Sequence, residues 1–163
     1  MRVMYVASEA TPFIKSGGLA DVIGSLPKET AKKDVESIVV IPKYQDMKFV
    51  DQIEYVTNFD IYMGWRKRYC GIFKAEVDGV TFYFIDNEQY FGRPGLYGYD
   101  DDYERFAFFD FAVLELISHL NIKPDVVHVG ICCKTRTDDN EYCPEILRLV
   151  DIFRNHGIEV IWG

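Results

Sequence analysis

Val3-Met4-Tyr5-Val6-Ala7, an apolar and partly β-branched run, leads into a loop with Pro12 and the glycine pair Gly17-Gly18, and helical spacing begins directly after it. A short apolar run ending in such a loop is the pattern of a strand buried on both faces of a parallel sheet. Leu19, Val22, Ile23 and Leu26 then recur at helical spacing towards Lys33, with Pro27 expected to kink or break the helix. A second strand, Ile38 to Ile41, stops at Pro42. Strand, helix and strand in this order make a βαβ unit, which implies a parallel sheet and a right-handed crossover.

Between Ile53 and Ile85 the pattern changes to alternating, aromatic-rich strands, with Asp78-Gly79 as a two-residue turn between Phe73–Val77 and Val80–Ile85. This predicts an antiparallel hairpin excursion inside an α/β domain. Gly92 to Gly98, with Pro94, reads as a loop before a helix from Tyr103 to Leu120, whose expected apolar stripe is Phe106, Phe109, Val113, Leu114 and Ile117. Asp125 to Val129 reads as another strand and Lys134 to Glu141 as a polar loop. A helix with Pro144 in its first turn and Gly157 at its end follows, then a strand from Ile158 to Trp162. No repeat or linker divides the chain, so residues 1–163 are expected to form one domain, with 130–163 as a helix-strand tail.

At 163 residues, 48 % hydrophobic and 15 % aromatic, the chain can bury a continuous core. A net charge of -8 argues against a nucleic-acid surface, which needs clustered Lys and Arg. The apolar opening is too brief for a signal peptide core or a membrane span, so the expectation is a cytoplasmic protein without a membrane partner. Its four cysteines then read as reduced thiols.

The loop Ser8 to Gly18 lies between the carboxyl end of the first strand and the amino end of the first helix, where ligands bind in open α/β sheets. Glycines permit close backbone approach, the helix start favours an anion, and Lys15 adds a mobile cation suited to a diphosphate. The same residues also fit a plain tight turn with a solvated lysine. Asp21 reads either as a ligand contact or as an acid suiting the helix dipole. Asp102 fits a helix N-cap, and Tyr97 fits core packing.

The longer string Val6-Ala-Ser-Glu-Ala-Thr-Pro-Phe-Ile-Lys-Ser-Gly-Gly-Leu-Ala-Asp-Val-Ile-Gly-Ser-Leu-Pro-Lys28 resembles the opening of bacterial glycogen synthases and plant starch synthases. Ile41-Pro-Lys-Tyr44 and Gly95-Leu-Tyr-Gly98, followed by Asp102-Tyr-Glu-Arg-Phe-Ala-Phe-Phe109, are similar to two further family stretches, so the resemblance runs from Met1 to about Val129. It implies the amino-terminal half of a two-Rossmann (GT-B) glycosyltransferase: a three-layer, mostly parallel α/β fold. The implied reaction moves glucose from ADP-glucose to the non-reducing end of an α-1,4-glucan, with retention and without a cofactor. It places Lys15 at the donor diphosphate, Gly17 and Gly18 at its backbone cradle, and Asp21 beside the sugar. Tyr97, Asp101 and Asp102 fall on the acceptor or sugar side.

One departure matters. The family follows Pro-Asp-Val-Val-His with a stretch containing Asp-Trp that presents an essential histidine and an acid, but here Pro124-Asp-Val-Val-His128 continues into Val129-Gly130-Ile131-Cys132-Cys133. His128 holds the first histidine position, and a lone His at a strand end also fits a structural role. With this loss, and without a second Rossmann domain, the chain alone is expected to be inactive. The alternatives are a non-catalytic nucleotide-sugar or glucan binding module, or a rearranged or engineered α/β domain. Cys132, Cys133, Cys143, His128 and His156 match zinc-ligand spacing poorly, so no metal is expected. An exposed sheet edge could pair with a second copy.

Overall fold

A computed structural model describes residues 1–130, 144–155 and 157–162. The polar loop expected at Lys134 to Glu141 lies outside them. Strand β1 (Arg2–Val6) is the hub, because its apolar residues are buried between two parallel neighbours, β2 (Glu36–Pro42) and β6 (Val126–Val129). Strands β3 (Glu54–Met63), β4 (Arg66–Val77) and β5 (Val80–Asp86) extend the sheet beyond β2, and β7 (Glu159–Trp162) pairs in parallel with β6. The seven-stranded order is β3-β4-β5-β2-β1-β6-β7. Among the described residues only the β3-β4 and β4-β5 ladders are antiparallel, so the hairpin excursion forms as the sequence predicts. Asp78 and Gly79 take φ of 51° and 78°, the paired left-handed geometry of a two-residue hairpin turn.

Helix α1 (Gly18–Ala31) makes the β1 to β2 crossover, and α3 (Asp102–His119) carries the chain from β5 back to β6. The two right-handed crossovers move in opposite directions along the sheet, which puts α1 and α3 on opposite faces. The expected break at Pro27 does not occur: α1 runs through it, because proline forfeits a single N–H bond and the turn beyond is held by side chains. The Thr30 hydroxyl donates to the Pro27 carbonyl at 2.9 Å and contacts the hydroxyls of Ser37 and Tyr5. The stripe of α3 is also rotated from expectation. Phe109 and Val113 are buried, but Phe108, Ala112 and Leu116 take the centre while Phe106, Leu114 and Ile117 are half-buried. The reason is Arg105, which occupies a core position that a hydrophobic count passes over.

A short helix α2 (Glu88–Phe91), capped by the Asn87 side chain on the Tyr90 N–H, leads towards α3. Helix α4 (Pro144–Asn155) presents buried Val150 and Phe153, with Phe153 in the continuous core. The loop after β1 is itself part of that core. Phe13 packs its ring 5.0 and 4.8 Å from those of Phe82 and Phe84 on β5, and Thr11-Pro12 is a cis peptide.

Gly24 is where α1 touches this loop. A Cβ there would lie 1.8 Å from Thr11 Oγ1 and 2.8 Å from the Thr11 carbonyl oxygen. Gly24→Ala must therefore push the loop away from the helix, and overpacking of this kind costs about 1–3 kcal/mol against the small helix-propensity gain. Urea unfolding should show a lowered midpoint; an unchanged midpoint would mean that the loop yields freely.

Candidate functional site

The chain leaves β1 towards β2 on one side and returns through α3 to β6 on the other, so the carboxyl ends of β1 and β6 flank the point where the strand order switches. A crevice forms outside the strand ends at such a point. The loop 7–17 rises from one wall and Gly130 closes the other. The Gly130 N–H donates to the Val6 carbonyl at 2.8 Å, and a Cβ on Gly130 would come within 2.9 Å of Leu19 Cδ1 and 3.2 Å of Ala7 Cβ. The position after the His128 strand is thus packed directly against the start of α1.

Glu9, which the sequence did not single out, organises the loop from within. Its carboxylate is 3 % exposed and accepts from the Ser16 and Gly17 N–H groups, the Ser16 hydroxyl at 3.1 Å and the Tyr97 hydroxyl at 3.5 Å. A buried carboxylate must be met by donors, and here the donors are the loop's own backbone.

Lys15 and Asp21 meet on the outer rim. The Lys15 ammonium donates to both Asp21 oxygens, at 2.8 and 2.7 Å, and both side chains are about half exposed, 51 % and 55 %. Gly17 is extended (φ -154°), and neither it nor Gly18 adopts a left-handed conformation. The turn therefore does not require glycine at these positions, which removes the plain tight-turn account of the pair. A Cβ on Gly18 would meet nothing within 4 Å, and one on Gly17 only a Glu9 oxygen at 3.9 Å. The pair leaves open space in front of the first turn of α1, whose N–H groups have no acceptors within the helix.

Tyr97 reaches this loop from far along the chain: its hydroxyl is 2.6 Å from the Oγ of Ser8, 89 residues before it. Asp101 and Asp102, by contrast, are committed to holding the segment that carries Tyr97. Asp101 is the N-cap residue of α3, yet its side chain makes a paired contact with Arg93 at 2.7 and 2.6 Å rather than a cap bond, and this guanidinium holds its carboxyl below the usual range. Asp102 is the first helical residue rather than the expected cap. It accepts from the Gly98 N–H at 2.8 Å and from Arg105 at 3.1 Å. The sequence did carry a signal for Arg105: a lone base at core-facing spacing before Phe108, Ala112 and Leu116.

His128 sits mid-sheet with its ring 5.5 Å from that of Tyr5. Its buried Nδ1 has no hydrogen-bond partner among the described residues, and burial pushes its pKa below the ordinary 6.5. Among the described residues no group of three or more His, Cys, Asp or Glu side chains could hold a metal ion. Cys132, Cys133, Cys143 and His156 lie outside them. No described helix is long and apolar enough to cross a membrane.

Residues 2–130 match the family model described as the starch synthase catalytic domain. The chain is 56 % identical over 130 residues to a glycogen synthase of Clostridium botulinum (strain Eklund 17B / Type B), covering 78 % of this chain and 27 % of that protein. It is 51 % identical to a glycogen synthase of Desulforamulus reducens over 130 residues, with the same coverage. The chain thus spans about a quarter of the length of these curated relatives. Among solved structures, the catalytic domain of Starch Synthase IV from Arabidopsis thaliana, bound to ADP and acarbose, shares the fold with a TM-score of 0.81 at 24 % identity, over 98 % of this chain and 33 % of that one.

Two outcomes follow from this geometry. Glu9→Ala strands the Ser16 and Gly17 N–H groups and should cost about 1–3 kcal/mol in urea unfolding, with Glu9→Gln costing less because its amide oxygen can still accept. For His128 the folded state binds fewer protons than the unfolded chain, so its contribution to stability is complete above 6.5 and is lost as pH falls through the depressed folded value. Thermal melts between about pH 7.5 and pH 5 should show His128→Gln flattening this part of the profile. An identical slope in the variant would mean that another group causes it.

Proposed function

Because this chain belongs to the starch synthase catalytic domain family, we propose that its crevice is the amino-terminal half of a binding site for ADP-glucose. The reaction it serves is retaining transfer of glucose to the non-reducing end of an α-1,4-glucan. The observation that carries this reading is the open space over Gly17 and Gly18, bounded by Lys15 and by the amino end of α1. Backbone N–H groups and a helix start favour an anion, and a missing Cβ lets a bulky diphosphate approach the backbone. Lys15, paired with Asp21 on the rim, turns its ammonium to the diphosphate when the donor binds. Asp21 is then released towards the sugar hydroxyls.

Tyr97 supplies the aromatic face on the sugar and acceptor side. Asp101 and Asp102 act there by fixing the segment that carries it, since both carboxylates are already engaged. His128 has its Nδ1 buried and contributes to the sheet rather than to proton transfer. Stabilising the departing diphosphate needs several cationic contacts, and these residues bring Lys15 already paired with Asp21. The 163 residues alone are therefore expected to bind the donor without turning it over.

A second reading, a non-catalytic nucleotide-sugar or glucan binding module, is favoured by Gly130. Where the family pattern leads to its essential histidine, this chain has Val129-Gly130 and no Asp-Trp pair, so Gly130 brings no side chain to the crevice.

Calorimetry with ADP-glucose, ADP and maltooligosaccharides tests both readings. Lys15→Ala should weaken ADP-glucose binding about tenfold or more, since a charge-assisted contact contributes about 1.5–3 kcal/mol, and leave the melting temperature nearly unchanged, as expected for an exposed pair. Gly18→Ala should keep full thermal stability while losing donor affinity. Equal losses of stability and binding would make the loop a folding element, and no heat with any ligand would defeat both readings.

A further inference from the structure

Arg105 on α3 is 0 % exposed, and its charge is not fully answered where it lies. A single nitrogen, Nη1, donates to the Leu96 carbonyl at 3.2 Å and to Asp102 at 3.1 Å. The rings of Phe91, Tyr99 and Phe106 stand 5.1–5.3 Å from the guanidinium carbon, which offsets part of the burial. Nε and Nη2 find no hydrogen-bond partner among the described residues, and neither does the neighbouring Tyr44 hydroxyl. Stability alone does not favour such an arrangement, because buried ion pairs are often replaced by apolar residues at no loss.

What the arrangement does achieve is placement. Both Nη1 contacts fall on the backbone flanking Tyr97: Leu96 directly, and Gly98 through the second Asp102 oxygen, at a glycine with φ of +100°. Phe106, the residue after Arg105, packs its ring 5.9 Å from that of Tyr97. The Tyr97 hydroxyl then meets Ser8 at 2.6 Å and Glu9 at 3.5 Å, and Glu9 holds the Ser16 and Gly17 N–H groups.

We infer that Arg105 is a positioning residue for the donor loop, acting through Tyr97 and Glu9 to set the backbone of Ser16 and Gly17. This rests on the reading of that loop as the diphosphate site. It gives α3, on the far face of the sheet, control over the shape of an anion site that it does not touch.

The test is amide hydrogen exchange on the full 163-residue chain, with ADP affinity measured beside it by calorimetry. Arg105→Lys and Tyr97→Phe should each raise exchange at Ser16 and Gly17 about tenfold relative to the β2 amide of Val39, and weaken ADP binding by a similar factor. The double variant should be no worse than either single one, because both cut the same path. A merely structural Arg105 would instead raise exchange across the sheet and leave the Tyr97→Phe loop unchanged, and that result overturns the inference, as does additivity in the double variant. If Arg105→Lys fails to fold, Asp102→Ala removes the acceptor shared by Arg105 and the Gly98 N–H and is read in the same way. If the unaltered chain does not bind ADP, the diphosphate reading fails while the exchange rates still decide the relay.

Discussion

A carboxylate withdrawn from water imposes its needs on whatever surrounds it, and Glu9 imposes them on the loop that defines this protein. Its oxygens gather two backbone N–H groups and the hydroxyl of Ser16, so the segment from Lys15 to Gly17 curves around an internal acceptor. With those amides turned inward, the outward surface is left to Gly18 and the start of α1, where a Cβ would touch nothing. Loop shape, open space and the exposed position of Lys15 all follow from one buried charge.

That charge is held from two directions. Phe13 and Thr11 anchor the loop to β5 and α1, with Gly24 allowing the close approach. On the other side Tyr97 arrives on a segment with glycines at positions 92, 95 and 98, where the backbone has the most freedom to lose. It is pinned by Asp46 on the Gly95 N–H, Tyr99 on the Pro94 carbonyl, Arg93 on Asp101, and Arg105 on Leu96 and Asp102. Polar groups from the segment itself, from the loop after β2 and from α3 thus do for this segment what a ladder does for a strand.

Much of the fold is legible in the residues. An unbroken apolar run reads as β1 because a strand buried on both faces has no polar side to show, and Asp78-Gly79 reads as a hairpin turn because both positions need positive φ. The reading slips where a residue type is used against habit. Pro27 stays inside α1 because Thr30 ties down the turn beyond it. Arg105 shifts the buried face of α3 because a caged guanidinium counts as polar in a sequence and as core in a structure. Asp102 looks like a cap, but competition from Arg105 and the Gly98 N–H draws it elsewhere.

By itself the sequence determined the family, the parallel architecture and the residues of the glycine loop, since these rest on local patterns of hydrophobicity, turn chemistry and motif. Tertiary structure alone decided which of those residues meet. Lys15 pairs with Asp21 across a single turn, but Tyr97 reaches Ser8 only because β5, α2 and the glycine-rich segment return the chain to the end of β1. Glu9 becomes the centre of the site only once it is buried, because the cost of an unanswered charge arises from exclusion of water, and sequence spacing does not record where water is excluded.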